Sequence, residues 1–306
     1  MAQGFTLRDQ KVEVEIDAGG NLVSLKNAVT GQDYASGKPL WRLYFDRKDG
    51  QYENEVRAQD NTPDIRQEDG RIILRYGALK VGDDVLRARL TLSVRVEEGQ
   101  VRFAAEVAND EPHTIIRELH YPLVGDCRLP ADHKLLTTLL GGKLFANPKA
   151  LIVRTGNIPP YMAPSQYYRQ FDLKYPSHTV ANCFAFVGEA QGLYLGSHDP
   201  LFQDTWHGLR VYPDATGAFA VLEAGLYKYP NCLAGQVWRC DANTLVPYSG
   251  TWHQTARLYR DWADTWWHQR EVPLWVRKMK GWQRVIFRHQ YGETLFRYAD
   301  LNGRMR

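Results

Sequence analysis

The chain has 306 residues, enough for one large domain or two ordinary ones. Hydrophobic residues make up 44% and charged residues 24%, which is close to the globular average and argues against disorder. The net charge of +3 is small, and because Lys and Arg never cluster in a long run, we expect no nucleic-acid partner. Aromatic residues make up 12%, which favours β-sheets and also suits sugar sites, although core packing accounts for most aromatic side chains.

The N-terminus and the cysteines bear on the cellular compartment. The opening residues MAQGFTLRDQ contain neither a basic region nor an apolar run, so no signal peptide is predicted, and no stretch approaches a membrane span. With Met1 as the start, we expect a cytoplasmic protein. The cysteines lie far apart without a CxxC pair, which predicts reduced, buried thiols and no zinc site; they are Cys127, Cys183, Cys232 and Cys240.

The first half of the chain consists of short alternating segments separated by turn residues. Lys11–Ile16 alternates apolar and charged residues, and a turn followed by Leu22–Leu25 completes a hairpin. Further strands are predicted at Leu40–Phe45, Ile65–Gln67, Ile72–Tyr76, Leu86–Val96, Val101–Asn109, Cys183–Val187, Gly192–Gly196, Leu209–Tyr212, Ala218–Leu222 and Gln236–Cys240. The long Leu86–Val96 strand is predicted to have one solvent-exposed face, as in a broad antiparallel sheet. We therefore predict a mainly β fold, a large antiparallel β-sandwich.

Between residues 130 and 180 the alternation weakens, and prolines and tyrosines are interleaved. The tyrosines of this segment are Tyr161, Tyr167, Tyr168 and Tyr175. A long loop of this composition is often functional, and it can equally well act as a lid that packs over a sheet edge. The sequence leaves both interpretations open.

A helix rich in aromatic residues is predicted after the strands. Apolar residues recur at helical spacing from residue 251 onward, namely Trp252, Ala256, Tyr259, Ala263 and Trp266. Thr251 with Gln254 fits a capping box, and Pro273 bounds the far end. Residues 238–282 hold seven of the nine tryptophans, so we expect the helix to be clamped between two bodies as a rigid joint.

After the helix, Val285–Phe287 forms a short apolar run of the kind found in buried parallel strands. A β/α barrel takes about 250 residues, far more than the stretch from Met279 to Arg306 contains. We therefore predict three parts: a β-sandwich over residues 1–248, a Trp-rich helical linker over 249–278, and the start of a truncated β/α barrel over 279–306. The alternative is that the last residues pack back on the sandwich.

Several segments resemble landmarks of a known architecture. The hairpin over residues 12–34 resembles the first hairpin of galactose-mutarotase-like supersandwich domains. Other segments are similar to landmarks of a bacterial glycoside-hydrolase-like group in which a supersandwich precedes a (β/α)8 barrel: Tyr175-Pro-Ser177, Gly192–Asp199, Gly250–Trp262 and, at the end of the first barrel strand, His289-Gln-Tyr-Gly292. The resemblance covers most of the chain. It implies that the acidic catalytic residues of the barrel lie beyond Arg306.

The resemblance implies that this chain is the N-terminal sandwich and linker of a carbohydrate-active protein, with carbohydrate as its partner and no catalysis of its own. Two alternatives stay open. One is a carbohydrate-binding or structural module, and the other is a mutarotase-type epimerase built from His120, His178, His207 and Glu223. No cofactor or metal is predicted; some related barrels use calcium near the domain junction, which no pattern in this sequence supports. The sequence does not indicate an oligomeric state.

Glycoside hydrolysis needs two carboxyl groups beside the bond, and four acidic residues of the sandwich are candidates for this role. They are Asp199, Asp204, Asp214 and Glu223. His198 and Asp199 stand on a turn at a strand end and are candidates for sugar contact, although Asp before Pro is itself a turn signal. The adjacency of Ser197, His198 and Asp199 excludes a catalytic triad.

Three more residues are candidates for sugar contact. Trp206 has a ring that can stack on a sugar, and packing in the core or at its rim explains it equally well. His289 and Gln290 would lie on the active face of a barrel, where the alternative is that they plug the barrel top.

Overall fold

The computed structural model describes residues 4–47, 54–155, 167–268 and 270–281. The chain divides into two units, Met1–Trp266 and Trp267–Arg306. The boundaries predicted after residues 248 and 278 stay predictions. The predicted strand Val285–Phe287, with His289 and Gln290, lies outside the described residues.

Strands dominate the described part of the first unit. The first twelve are β1 (Phe5–Arg8), β2 (Val12–Ile16), β3 (Asn21–Asn27), β4 (Lys38–Pro39), β5 (Arg42–Arg47), β6 (Asn54–Arg57), β7 (Asp64–Glu68), β8 (Arg71–Tyr76), β9 (Leu79–Val81), β10 (Asp84–Leu86), β11 (Ala88–Glu97) and β12 (Gln100–Asn109). They are followed by β13 (Thr114–Val124), β14 (Lys134–Leu139), β15 (Lys143–Phe145), β16 (Arg169–Gln170), β17 (Leu173–Tyr175), β18 (Thr179–Val187), β19 (Gln191–Ser197), β20 (Thr205–Pro213), β21 (Phe219–Lys228), β22 (Cys232–Leu233) and β23 (Val237–Ser249).

The helices are short and few among the described residues. The first unit contains α1 (Pro148–Thr155), α2 (His253–Ala263) and a 3-10 turn at Ala58–Asp60, and the second unit contains α3 (Leu274–Lys278). Within the described ranges no helix is long and apolar enough to cross a membrane.

Two large antiparallel sheets form the body of the first unit. As far as the chain is described, one has nine strands in the order β15-β14-β18-β19-β23-β12-β11-β8-β7. The other has eight, in the order β16-β20-β21-β13-β5-β6, with β17 paired to β20 and β22 paired to β13. A smaller sheet, β1-β2-β3-β4, and the β9–β10 hairpin lie beside them. The predicted large antiparallel β-sandwich is confirmed.

Apolar side chains of both large sheets form one continuous buried cluster, which identifies the space between the sheets as the core. The nine-stranded sheet contributes Leu74, Leu90, Leu92, Val94, Phe103 and Val107, and the eight-stranded sheet contributes Leu43, Phe45, Ile116, Leu209, Val211, Leu222 and Leu226. Because strand side chains alternate between faces, the residues between these positions point to the outer surfaces. The alternation predicted around Leu86–Val96 is present in β11, where every second residue is buried.

The outer face of the nine-stranded sheet is covered in part by α2. A second apolar cluster on β18, β19 and β23 packs against Leu258 and Tyr259 of the helix. The Tyr248 hydroxyl lies 3.0 Å from Thr255 Oγ1, which is buried on the same side of the helix. The helix is therefore anchored on the sheet by one apolar face and one hydrogen bond.

The predicted start of α2 is close to the observed one, but the helix ends at Ala263, well before Pro273, and its predicted cap and face are partly wrong. The N-cap is Trp252, and no side chain caps the helix, so the Thr251–Gln254 capping box does not form. Trp252 and Ala256 are exposed, and Thr255 is the buried residue instead. The first two residues of the predicted stripe are thus exposed to solvent, while Tyr259, further along it, packs on the sheet as predicted.

The prediction missed β13 and β14 and the second half of β23, which extends nine residues past Cys240 to Ser249 and is the longest described strand. Asp241, Asn243 and Thr244 interrupt the apolar pattern of β23. Asn243 is nevertheless buried, because its Nδ2 donates a 2.6 Å hydrogen bond to the backbone oxygen of Tyr121. A polar residue whose amide N–H is hydrogen-bonded to the opposite sheet interrupts the apolar alternation without breaking the strand.

The four cysteines are free and buried, as predicted from their spacing. Burial raises the pKa of the Cys183 thiol to about 12 and that of the Cys240 thiol to about 11. These groups are therefore neutral at physiological pH and pack as small apolar residues.

One glycine of β20 sets the position of an aromatic ring on the outer face of the eight-stranded sheet. A Cβ added at Gly208 would lie 1.8 Å from Cζ of Tyr227, so the Tyr227 ring lies directly over this glycine. The other side of that ring stacks on His120, with the centroids 3.5 Å apart and the planes at 8°. Gly208 thus makes room for the Tyr227–His120 stack.

We expect Gly208→Ala to destabilise the fold by about 1–3 kcal/mol, because the new methyl group forces Tyr227 off its position. The control is Gly77→Ala, since no atom lies within 4 Å of a Cβ at that site, and it should leave the free energy of unfolding nearly unchanged. Urea unfolding followed by circular dichroism measures both variants. Equal stability of the two variants would show that the ring is not fixed by Gly208.

Candidate functional site

The outer face of the eight-stranded sheet carries a cleft of about 560 Å³. Because Leu43 and Phe45 of β5 point into the core, Arg42 and Tyr44 point outward into the cleft. The same alternation directs side chains of three other strands to this face. The cleft residues used below are Arg42, Tyr44, Glu55, Tyr168, Arg210, Tyr212 and Glu223.

An ion pair connects two strands across the floor of the cleft. Arg42 Nη2 on β5 lies 2.5 Å from Glu223 Oε2 on β21, and both side chains are largely buried. Arg42 Nη1 donates a 2.9 Å hydrogen bond to the Tyr212 hydroxyl, which lies 3.4 Å from Glu223 Oε1. Burial lowers the pKa of Arg42, but the Glu223 carboxylate and the tyrosines Tyr212 and Tyr44 together raise it above its ordinary value. Arg42 therefore stays charged and held in place.

Arg210 on β20 is the second buried guanidinium of the cleft. It is the direct cross-strand partner of Glu223, yet in the described part of the chain no carboxylate lies within 4.0 Å of it. Its Nη1 donates a 3.2 Å hydrogen bond to the Tyr44 hydroxyl, and its Nε has no partner among the described residues. The guanidinium carbon lies 4.5 Å from the ring centroid of Tyr168 and 5.5 Å from that of Tyr227. Aromatic faces and one hydroxyl hold this cation.

Asp172 is a buried carboxyl group beside β20. Its Oδ1 accepts a 3.3 Å hydrogen bond from the backbone N–H of Leu209, and the residue is 6% exposed. Burial raises the pKa of Asp172 to about 6, and the positive charge of Arg210 opposes that rise. A carboxyl group with such a pKa changes its charge close to neutral pH.

His120 points to the same outer face but is enclosed there. It is stacked on Tyr227, and its Nε2 lies 2.8 Å from Glu118 Oε2. Burial, together with the charges of Arg210 and Arg42, lowers the pKa of His120 well below its usual range. His120 is therefore neutral at physiological pH.

The other two histidines of the epimerase alternative do not join Glu223. His207 faces the core side of β20, where its Nε2 lies 3.1 Å from Asn182 Oδ1, and burial lowers its pKa to about 3. His178 stands on a turn and accepts a 3.1 Å hydrogen bond from the backbone N–H of Lys174. Neither of these two histidines is hydrogen-bonded to Glu223 among the described contacts, and the epimerase alternative stays a hypothesis.

His198 packs against α2 away from the cleft. Its ring stacks on Trp262 with the centroids 5.1 Å apart, and its Nε2 lies 2.8 Å from the Tyr194 hydroxyl. Burial lowers the pKa of His198 to about 3. In this structure the side chain joins the helix to the nine-stranded sheet.

Asp199 fixes the adjacent turn and neutralises a buried lysine. Its Oδ2 lies 3.1 Å from Lys228 Nζ, and the two side chains are 4% and 1% exposed. Its carboxylate also accepts hydrogen bonds from the backbone N–H groups of Leu201 and Gln203, at 2.9 and 3.0 Å. These contacts use the carboxylate within the fold.

Trp206 lies on the outer face of β20, the same face as the cleft, but it is not part of the cleft lining. Its half-buried ring packs edge-on against His178, 6.0 Å away, and lies 5.9 Å from Tyr229. Thus His198 and Asp199 share one turn, and Trp206 is separate from them. His289 and Gln290 lie outside the described residues. Whether any of these five residues contacts a sugar stays a prediction.

The sequence named some residues of the cleft and missed others. Glu223 was among the acidic candidates, and Tyr168 lies in the segment rich in Tyr and Pro. Arg42 and Arg210 were not singled out, although each is a charged residue next to core positions of its strand. Among the described residues, no group of three or more His, Cys, Asp or Glu side chains is placed to hold a metal ion.

No family model matches the chain, and no curated protein matches it by sequence. Solved structures match its fold. The α-N-acetylgalactosaminidase NagBb from Bifidobacterium bifidum, in its GalNAc complex, is 12% identical with a TM-score of 0.54 over 86% of this chain and 39% of its own. An α-mannosidase from Enterococcus faecalis is 10% identical with a TM-score of 0.52, over 86% of this chain and 31% of its own. A galactose mutarotase-like protein from Lactobacillus casei is 11% identical with a TM-score of 0.47, over 80% of this chain and all of its own.

The described part of the chain therefore has a large antiparallel β-sandwich fold, and it shares its fold with parts of NagBb and of the mannosidase. It spans about two fifths of the length of NagBb and about one third of that of the mannosidase.

We expect Asp199→Ala to lower the free energy of unfolding by about 3 kcal/mol or more, because it leaves the Lys228 ammonium buried without its partner. The control is Asp204→Ala, since Asp204 is half exposed and pairs with Lys174 at the surface, where the loss should stay below about 1 kcal/mol. Denaturant unfolding of both variants checks the difference. Similar losses in the two would show that Asp199 is not a structural residue.

We expect Asp172 to make the fold less stable as pH rises. Its pKa of about 6 lies above the ordinary value of 3.8, so its contribution to stability is present below about pH 4 and is lost as pH rises through about 6. The side chain of Asp172→Asn does not titrate, so the variant should not show this loss. Its unfolding free energy should therefore rise, relative to that of the wild type, by on the order of 2–3 kcal/mol between pH 4 and pH 8. The measurement is the unfolding free energy of both proteins at several pH values. Parallel curves would contradict the raised pKa.

Proposed function

We propose that this chain is the N-terminal sandwich and linker of a glycoside-hydrolase-like protein, and that its sandwich binds carbohydrate without turning it over. The observation that carries the proposal is the cleft in which Arg42, Glu223 and Tyr212 form one hydrogen-bonded group beside the Tyr168 ring. The fold shared with parts of two glycosidases supports the same reading of the chain.

The cleft offers the groups that a sugar needs. A pyranose ring presents hydroxyl groups that donate and accept hydrogen bonds and an apolar C–H face that packs on an aromatic ring. The guanidinium, carboxylate and tyrosine hydroxyl groups of the cleft can form hydrogen bonds with these sugar hydroxyls. The ring of Tyr168 supplies an aromatic wall, and its centroid lies 5.7 Å from that of Tyr212. A volume of about 560 Å³ is in the usual range for a small-ligand site.

The ion pairs of the cleft carboxylates support binding rather than hydrolysis. A glycosidase needs one carboxyl group that is protonated near neutral pH and a second that acts as base or nucleophile. Glu223 Oε2 lies 2.5 Å from Arg42 Nη2, and Glu55 Oε1 lies 3.6 Å from Arg42 Nε, so both carboxylates are engaged in ion pairs with one guanidinium. Asp172 has a raised pKa, but it is not part of the cleft lining.

The larger protein is part of the same proposal. In it, the sandwich over residues 1–248 is followed by the linker over 249–278 and by a barrel that begins at 279, and the barrel carries out hydrolysis. The fraction of each glycosidase that the chain covers, 39% and 31%, fits a part of such a protein.

The test is a titration of the 306-residue chain with a panel of methyl glycosides, followed by saturation-transfer NMR and calorimetry. We expect Tyr168→Ala to weaken binding about three- to tenfold, because it removes the aromatic wall. Trp252→Ala is the matched control: it removes a half-exposed aromatic ring on α2 and should leave affinity unchanged.

Two further results would decide between the alternatives. If Trp206→Ala abolished binding while Tyr168→Ala did not, the sugar would lie at Trp206 and the cleft assignment would be wrong. Turnover of aryl glycosides or exchange between anomers by the 306-residue chain would contradict a purely binding role.

A further inference from the structure

We infer that the cleft is specific for acidic sugars and that the carboxylate of a hexuronic acid pairs with Arg210, the buried guanidinium beside Tyr44 and Tyr168. This inference rests on the proposed carbohydrate-binding function and names the class of sugar.

The two buried arginines of the cleft differ in one respect. Arg42 is neutralised from two sides, by Glu223 at 2.5 Å and by Glu55 at 3.6 Å. Arg210 is 6% exposed and, among the described residues, has neutral partners only at contact distance. A buried charge without a counter-ion is costly, and one that lines a cleft is relieved when an anion binds there. The structure therefore leaves one cation of the pair for a ligand.

The surroundings of Arg210 hold the guanidinium in place before a ligand arrives. Tyr168 and Tyr227 lie within 4.5 and 5.5 Å of its carbon, and the Tyr44 hydroxyl accepts from Nη1. A planar guanidinium group that is already immobilised loses little conformational entropy when it forms two parallel hydrogen bonds to a carboxylate. This arrangement favours a carboxylate over a neutral hydroxyl at the same position.

The net charge of the cleft lining also favours an anionic ligand. Four basic residues, Lys38, Arg42, Arg57 and Arg210, face three acidic residues, Glu55, Asp126 and Glu223. The cleft therefore has an excess of one positive charge, which one carboxylate would balance. Asp172 also acts on Arg210, but it lies more than 4.0 Å away and is not in the lining.

The Arg210 guanidinium, which has no ion pair among the described residues, fits a carboxylate better than a phosphate or sulfate ester. A carboxylate is planar, carries one charge and matches the guanidinium fork. A phosphate dianion needs more than one unneutralised cation, and the other lining residue without an ion pair in the described chain is Lys38, which is exposed.

The test compares ligands that differ in one group. The 306-residue chain is titrated with methyl glucoside and galactoside, with the corresponding glucuronide and galacturonide, and with the 6-sulfates and 6-phosphates of the same sugars. We expect a uronide to bind about tenfold or more tightly than its neutral counterpart, because a charge-assisted hydrogen bond contributes a free energy of that size. This preference should shrink at high salt, since salt screens the charges.

Variants at Arg210 test the assignment of the residue. Arg210→Gln and Arg210→Lys should each reduce the ratio of uronide to neutral-sugar affinity, to about one in the case of Gln, because Gln lacks the charge and Lys lacks the fork. Arg89→Gln is the charge-matched control, since Arg89 is 63% exposed on β11 of the other sheet, and it should retain the ratio. The ratio is measured within each variant, so a general loss of affinity does not imitate the effect.

The outcomes separate the two proposals. Equal affinity for uronide and neutral sugar would overturn the acidic-sugar inference and leave the carbohydrate-binding proposal standing. Tighter binding of the sulfate or phosphate ester than of the uronide would overturn the choice of a carboxylate. Absence of binding by every sugar would remove the proposed function itself.

Discussion

The alternation of side chains along the strands of the eight-stranded sheet is the constraint on which the site depends. Each strand has to bury one face against the nine-stranded sheet, so every second residue is fixed as an apolar core residue. The residues between them are free to be polar, and four strands of this sheet use that freedom to place arginine, glutamate and tyrosine side chains in one cleft. A shift of one strand by a single residue would bury Arg42 or Arg210 in the core, so the fold and the site share the same register.

Electrostatics then divides the buried charges into two kinds. Asp199 with Lys228, and Arg42 with Glu223, are matched pairs in which each charge has its partner within about the length of a hydrogen bond. Arg210 and Asp172 are not paired at contact distance, and both are enclosed at or near the cleft. A protein that needed only a stable core would pair Arg210 and Asp172 with counter-ions as well, or replace both by apolar residues. Packing alone therefore does not explain why Arg210 and Asp172 occupy these positions.

The class of fold could be predicted from the sequence because alternation is a local property. Strands such as β2, β8, β11 and β12 follow directly from it, and their turns from glycine and acidic residues. The cleft could not be predicted, since Arg42 and Glu223 are 181 residues apart and meet only through strand pairing across β13. His198 and Asp199 stood out in the sequence for a reason that the structure explains: a polar turn at a strand end is needed to neutralise Lys228 and to support α2. Local sequence marks unusual residues, but tertiary contacts decide whether they serve the fold or a ligand.

The buried cysteines give the sandwich a chemical property of its own. Cys183 and Cys240 lie on β18 and β23 of the nine-stranded sheet, and Cys232 lies on β22 of the eight-stranded sheet. Since their thiols are enclosed and their pKa values are raised by burial, alkylating reagents reach them only when the strands around them separate. The chain thus contains built-in reporters on both sheets, and the rate at which each thiol is modified measures how often that region of the sandwich opens.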